Sequence, residues 1–168
     1  MRRMILTFFG AGLLRPAPGT WGSLAALPVA WVLHVLGGPY LLAIGIGLGY
    51  GIGVPLIEKE LAEGEDKDPG WIVLDEVVGQ WIALLPVSLG ATISGAGALA
   101  LWPGILAAFV WFRAFDIWKP GPVGWADRRG DAQGVMLDDV IAGALAALLV
   151  VAMAWAAHAG FVAKVNPA

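Results

Sequence analysis

The sequence predicts an all-α, polytopic membrane helix bundle of about four to five spans, with carboxylate-rich helix ends gathered on one side. Three observations predict it. First, 59% of the 168 residues are hydrophobic and only 14% are charged, where an ordinary soluble domain carries about 25% charged residues. Too few polar side chains remain to cover a surface in water, and the mean hydropathy of +0.78 agrees. Second, no Asp, Glu, Lys or Arg occurs between Pro16 and Ile57, between Val77 and Phe112, or between Val140 and Ala163. Ionisable groups are costly in hydrocarbon, so long charge-free runs read as spans. Third, all thirteen carboxylates fall on one side when those runs are laid across a bilayer.

A span needs about 20 mostly apolar residues, and five segments are candidates. The first, Trp21 to Leu36, is short and contains Pro28, so a re-entrant or interfacial segment fits it as well as a span. Gly37, Gly38 and Pro39 break it from the second, Pro39 to Ile57. There Gly45, Gly47, Gly49, Gly51 and Gly53 alternate. That pattern costs helix propensity, so this helix depends on neighbours, which small residues allow to approach closely. The third segment runs from Trp71 to Leu89 and the fourth from Ala96 to Phe112, with Ser88 to Gly97 between them; the fifth runs from Asp139 to Phe161. Trp21, Tyr40, Trp71, Trp102 and Trp118 stand near segment ends, as interfacial belts require.

Lys and Arg set the orientation. With Arg2, Arg3 and Arg15 in the cytoplasm, the chain is inside again at Glu58 to Gly70 and at Arg113 to Asp138. The two outer turns, Gly37 to Pro39 and Ser88 to Gly97, carry no charge, and only Lys164 falls outside. A signal peptide fits the N-terminus poorly, because Arg15 cuts the apolar run short. The chain has no cysteine, which excludes disulfides, thiolate metal sites and a cysteine nucleophile. A net charge of −3 gives no bulk attraction to nucleic acid.

Two acidic pairs carry the chemistry. Val73-Leu74-Asp75-Glu76-Val77-Val78-Gly79 is echoed by Met136-Leu137-Asp138-Asp139-Val140-Ile141-Ala142-Gly143. Each places adjacent acids at the entrance of a span, followed closely by a glycine. One acid per helix would serve as a cap. Two on each of two helices exceed what capping needs, and the echo predicts two similar half-sites facing each other. Asp116 lies near a helix C-terminus, where the dipole opposes it; Arg113 and Lys119 flank it at three residues on either side. Oxygen donors at three helix ends suit a hard cation such as Mg²⁺. Zinc favours Cys and His, and His34 and His158 fall at or near the opposite face.

Arg113, Lys119, Arg128 and Arg129 place cations beside the acids, which points to phosphate. Thr20 reads as an N-cap in Pro18-Gly19-Thr20-Trp21-Gly22-Ser23, a helix start whose N–H groups would also suit a phosphate. Asp68, Asp127 and Asp131 reach the metal only if their loops fold back. Glu58, Glu60, Glu63 and Glu65 read as a solvated loop or helix extension.

Four stretches together resemble one family: Pro18-Gly-Thr-Trp-Gly-Ser-Leu-Ala, Lys67-Asp-Pro-Gly-Trp-Ile-Val-Leu-Asp-Glu-Val-Val-Gly79, Arg113-Ala-Phe-Asp-Ile-Trp-Lys-Pro-Gly-Pro122 and Gly134-Val-Met-Leu-Asp-Asp-Val-Ile-Ala-Gly143. They resemble phosphatidylglycerophosphatase A, in the family's order and over most of the chain. One departure is Lys67, which stands where the family often has His. The resemblance implies a single membrane-embedded phosphatase domain over residues 1–168, multi-pass in a bacterial inner membrane. It implies Mg²⁺-dependent hydrolysis of phosphatidylglycerophosphate to phosphatidylglycerol and inorganic phosphate at the cytoplasmic headgroup level. Asp75, Asp116, Asp138, Asp139 and Lys119 are then the expected catalytic groups. Asp75, Glu76, Asp116, Asp138, Asp139 and Asp68 are the expected donors to one or two Mg²⁺, and Arg113, Lys119, Thr20, Ser23 and Asp127 the expected contacts to substrate. The expected partners are the phospholipid substrate and membrane lipids, with no nucleic acid and no protein partner. An ion-coupled transporter is the alternative, since intramembrane acids are usual there, although acids at span ends rather than at the midplane oppose it. A membrane scaffold is a third class, and clustered acids beside clustered bases have no purpose in it.

Overall fold

A computed structural model describes residues 1–64 and 69–165, apart from the side chains of Ala98 and residues 160–165. Among the described residues there is no strand. The helices are α1 (Arg2–Leu6), α2 (Pro18–Glu63), α3 (Leu74–Ser94), α4 (Trp102–Trp118), α5 (Pro122–Asp127) and α6 (Ala132–Val165), with short 3₁₀ turns at Ala11–Leu13 and Ala98–Leu101. Among the described residues, four helices are long and apolar enough to cross a membrane: α2, α3, α4 with its preceding turn, and α6.

The 46 residues of α2 would extend about 69 Å at about 1.5 Å per residue, more than twice a hydrocarbon core of about 30 Å. The helix does not run straight. Gly37 (φ −157°, ψ 18°) and Gly38 (φ 60°, ψ −152°) leave helical geometry, and Gly38 uses a left-handed φ that glycine adopts without a Cβ penalty. The chain folds back there: Leu33 Cδ1 lies 3.2 Å from the position of a Cβ on Gly45. Residues 18–36 and 39–63 are thus two antiparallel arms, which pack with α3, α4 and α6 in one bundle. The first arm is a full one, since it accompanies α3 from Gly22, against Val73, to His34, whose Nδ1 lies 2.7 Å from Ser88 Oγ.

The alternating glycines of the second arm resolve into a helical stripe. Gly45 meets Trp81, Gly49 meets Val78, and Gly53 meets Met136 and Leu74, whereas Gly47 and Gly51 have nothing within 4 Å. Spacing by four keeps one face of the arm flat against α3 and α6. Trp81, nearly buried, ties the first arm to α3 by donating its Nε1–H to Ala26 O at 3.0 Å.

The closest approach joins α3 to α6. A Cβ on Gly79 would lie 2.6 Å from Asp139 O, and one on Gly143 would lie 2.3 Å from Gly79 O. The glycine after each acidic pair is where the two helices cross, so the echo in the sequence is a packing device as well as a chemical one.

Helix ends differ from the sequence reading in four places. The third segment becomes helical at Leu74 rather than Trp71. The fourth continues to Trp118, which puts Asp116 inside its last turn. The fifth begins at Ala132, where Asp131 Oδ1 accepts the Gly134 N–H at 2.7 Å; Asp131 is the cap, so Asp138 and Asp139 are not. Thr20 is not an N-cap either. The helix starts at Pro18, with Ala17 as cap residue and no side-chain cap bond, because proline is preorganised for the first helical position.

Candidate active site

The N-terminal ends of α2 and α3, the C-terminal end of α4, α5 and the first turns of α6 converge at one end of the bundle. They enclose a cavity of about 160 Å³ lined by Gly70, Ile72, Asp75, Glu76, Asp116, Lys119, Asp127, Gly130, Val135, Asp138 and Asp139. Seven of the eleven residues predicted to act on phosphate or metal, six carboxylates and Lys119, come from α3, α4, α5, α6 and the residue that ends α4, and the fold brings them to one space.

The two acidic pairs repeat one local geometry. Asp75 Oδ1 accepts the Glu76 N–H at 3.1 Å, and Asp138 Oδ1 accepts the Asp139 N–H at 3.0 Å. Asp75, Glu76 and Asp139 each offer an oxygen within 4.8 Å of the other two. Glu76 Oε2 and Asp139 Oδ1 are buried and have no hydrogen-bond partner. A buried charge without a partner is strongly unfavourable, so these oxygens fit a hard cation, which would supply the missing positive charge. The donor set is all oxygen, which suits Mg²⁺ rather than zinc. His34 bonds Ser88 far from this end, and His158 is exposed on α6.

Asp116 and Asp138 are each held by a cation. Arg113 donates to Asp116, and its side chain and that of Asp116 are only 15% and 14% exposed. Lys119 donates to Asp138 at 2.9 Å and also to Asp127. Burial opposes the charge on Lys119, but the bonds to Asp127 and Asp138 outweigh it and raise its pKa above the ordinary lysine value. Lys119 therefore stays an ammonium at the cavity wall. It sits there because the helix ends on it in a left-handed conformation, φ 47° and ψ 53°, which turns the chain into α5. That short helix, in what reads from sequence as a loop, delivers Asp127.

The remaining predicted residues stand apart. Arg113 is not among the residues lining the cavity; it pairs with Asp116 and has its Nε buried and unpartnered. Gly19, rather than Thr20, meets the site: a Cβ there would fall 2.3 Å from Glu76 Oε1 and 3.2 Å from an Arg113 terminal nitrogen. Ser23 is fully buried and its Oγ donates to Gly19 O at 2.9 Å, a bond within its own helix. Asp68 and Glu65 lie outside the described residues. Asp131 is engaged with Arg129, which together with the Gly134 N–H lowers its pKa. Glu60 and Glu63 extend α2 and pair with Arg2. Sequence reasoning missed Gln80, fully buried one turn beyond Glu76, with both amide atoms unpartnered. A polar side chain at i+4 from an acid, inside a charge-free run, was the available signal.

Comparison with known proteins adds an independent finding. A family model described as Phosphatidylglycerophosphatase A matches residues 4–154. The chain is 39% identical over 146 residues to a protein of Haemophilus influenzae named phosphatidylglycerophosphatase A, covering 86% of this chain and 83% of that one. It is 38% identical over 141 residues to the protein of the same name from Escherichia coli, covering 83% and 75%. It is also 34% identical over 158 residues to a protein of Bacteroides thetaiotaomicron named putative phosphatidylinositol-3-phosphatase, covering 90% and 92%. No solved structure matches the chain.

Proposed function

The chain belongs to the phosphatidylglycerophosphatase A family, and from that premise we propose that its acidic cavity hydrolyses phosphatidylglycerophosphate to phosphatidylglycerol and inorganic phosphate. The observation that carries the reading is the meeting of Asp75, Glu76 and Asp139 within 4.8 Å of one another, with two buried oxygens unpartnered, in a cavity that also holds Lys119. Phosphoryl transfer needs positioning and charge neutralisation above all, and this end of the bundle offers both.

Asp75, Glu76 and Asp139 would hold Mg²⁺, which when bound supplies charge neutralisation and Lewis-acid polarisation of a phosphate. Asp116 and Asp138 keep their cation partners and shape the wall. The Lys119 ammonium faces the same space and offers its charge to a phosphate oxygen. Arg113 holds Asp116 in place through their ion pair. A water oxygen bonds to phosphorus and gives up a proton as the phosphorus–oxygen ester bond breaks, and the leaving glycerol oxygen takes up a proton; attack by a carboxylate, with water then hydrolysing the aspartyl-phosphate, is the rival route.

Arg2, Arg3, Arg15, Lys59, Arg113, Lys119, Arg128 and Arg129 all lie toward the acidic end. That supports a cytoplasmic position for the site in an inner membrane. Acids at helix ends, not at the midplane, speak against an ion-coupled transporter. The relative named for a phosphoinositide keeps a second headgroup in view.

The test is phosphate release by the purified protein in detergent from phosphatidylglycerophosphate, phosphatidylinositol 3-phosphate and phosphatidic acid, with Mg²⁺ and then with EDTA. Preferred release from the first lipid, abolished by EDTA, is expected. Preference for the second would move the headgroup assignment, and release unaffected by EDTA would overturn the metal's role.

A further inference from the structure

We infer that residues 4–14 form a re-entrant element that dips into the leaflet on the acidic side of the bundle and contacts its acyl chains. The inference rests on the helices spanning a membrane and not on the catalytic reading.

The segment descends along α2 and turns back. At its top, Arg2 is bridged to Glu60 and Glu63. Below, Leu6 and Ile57 are both fully buried in one cluster, and Leu6 O accepts the Val73 N–H at 2.9 Å. Lower still, the Phe8 ring meets Trp81 edge to face, with centroids 6.2 Å apart. Trp81 lies about 10 Å along α3 from Leu74, at about 1.5 Å per residue. The chain then climbs to Gly12, packed so closely on Trp71 O that a Cβ would lie 2.1 Å from it. The turn is held open by left-handed backbone at Phe8 (φ 45°), Phe9 (φ 56°) and Gly10 (φ 96°). Non-glycine residues keep such angles only where the surroundings fix them, and the Phe8 wedge does so.

Two independent features identify lipid as what surrounds this turn. At its tip and rims Met4, Phe9, Leu13 and Leu14 are 52%, 75%, 53% and 49% exposed. A water-facing turn would carry polar residues there. The backbone N–H groups are also satisfied. Every N–H from Thr7 to Leu14 has a local backbone acceptor, Arg3 O for Thr7 and carbonyls of the segment itself for the rest, and the Gly10 N–H has Thr7 Oγ1 as a further acceptor at 3.1 Å. A surface turn can leave N–H groups to water, but in hydrocarbon each must be satisfied internally. Satisfied N–H groups and bared apolar side chains together describe a segment built for the leaflet.

The chain lacks cysteine, so single-cysteine spin labels test this without background. Full-length Phe9→Cys and Leu13→Cys variants, reconstituted in phosphatidylglycerol/phosphatidylethanolamine vesicles, would be compared with Lys59→Cys and Val151→Cys as polar and lipid-facing references. The readout is the ratio of collisions with oxygen to collisions with a water-soluble nickel chelate. At positions 9 and 13 the ratio should approach that of Val151 and exceed that of Lys59 several-fold. Ratios equal to that of Lys59 would overturn the inference. So would references that fail to differ, since no bilayer would then surround the bundle.

Discussion

Replacing Gly143 with alanine tests whether the crossing of α3 and α6 sets the chemistry. The new Cβ would lie 2.3 Å from Gly79 O and 3.0 Å from Gly79 Cα, where unstrained contacts begin at about 3.5 Å. The helices must therefore part by about 1 Å at this point. The donors of Asp75, Glu76 and Asp139 lie within 4.8 Å of one another, so the retreat is a sizeable fraction of their whole spread. A misplacement of about 1 Å can cost about a hundredfold in rate, while overpacking costs about 1–3 kcal/mol of stability. The assay is phosphate release from phosphatidylglycerophosphate across a Mg²⁺ titration, with thermal unfolding alongside. Turnover should fall about a hundredfold and the Mg²⁺ midpoint should rise, in a protein that still folds. Gly47→Ala and Gly51→Ala are the controls, since nothing lies within 4 Å of either; they should keep full activity and gain up to about 1 kcal/mol of helix propensity. Unchanged turnover and an unchanged Mg²⁺ midpoint in Gly143→Ala would refute the reasoning.

Two other perturbations separate charge from packing. Glu76→Gln and Asp139→Asn each remove a buried carboxylate whose free oxygen has no donor. Both should lose turnover by about a hundredfold or more, and near-normal rates in either would remove that residue from the metal set. Lys119→Met deprives Asp138, whose side chain is 8% exposed, of its cation and should lower the thermal midpoint. Because the folded pKa of Lys119 is raised, its contribution is fully present below the ordinary lysine value, about 10.4. It is lost only as pH climbs through the raised one. The gap between wild type and Lys119→Met should stay constant from about pH 7 to 9; a gap that closes over that range would show that another group titrates.

The long apolar helices, the break at Gly37–Gly38 and the gathering of acids at one end are legible in the sequence. Each depends on a local property, either freedom from charge or a glycine pair, that no distant contact can override. The meeting of the two acidic pairs is legible only as an echo, because seven residues cannot say which helices touch. What escaped was decided by packing. Thr20 carries the right chemistry for a cap, yet Pro18 starts the helix earlier. Arg113 has the right charge for a phosphate, and the fold pairs it with Asp116 outside the cavity lining. The alternating glycines hide a period of four, visible only once α3 and α6 lie against Gly45, Gly49 and Gly53.

The charges at the acidic end can be weighed one by one. A helix N-terminus carries about half a positive charge, so Asp75 and Glu76, in the first turn of α3, sit where the field favours them. Asp116, in the last turn of α4, sits where the field is adverse and is held by Arg113. Asp138 has Lys119. Asp139 lies beyond the first turn of α6 and has no cation among the described residues. Glu76 and Asp139 are the acids that keep a buried oxygen without a donor, and they offer oxygens within 4.8 Å of each other beside the Gly79–Gly143 crossing. Repulsion there strains that crossing unless a cation or a proton offsets it. A divalent cation should then stabilise the fold as well as the reaction. Adding Mg²⁺ to EDTA-treated wild type should raise its thermal midpoint, and the same addition should leave a Glu76→Gln/Asp139→Asn double variant unmoved. An equal rise in both would mean that the ion binds elsewhere, and that the crossing tolerates its two facing acids by some other means.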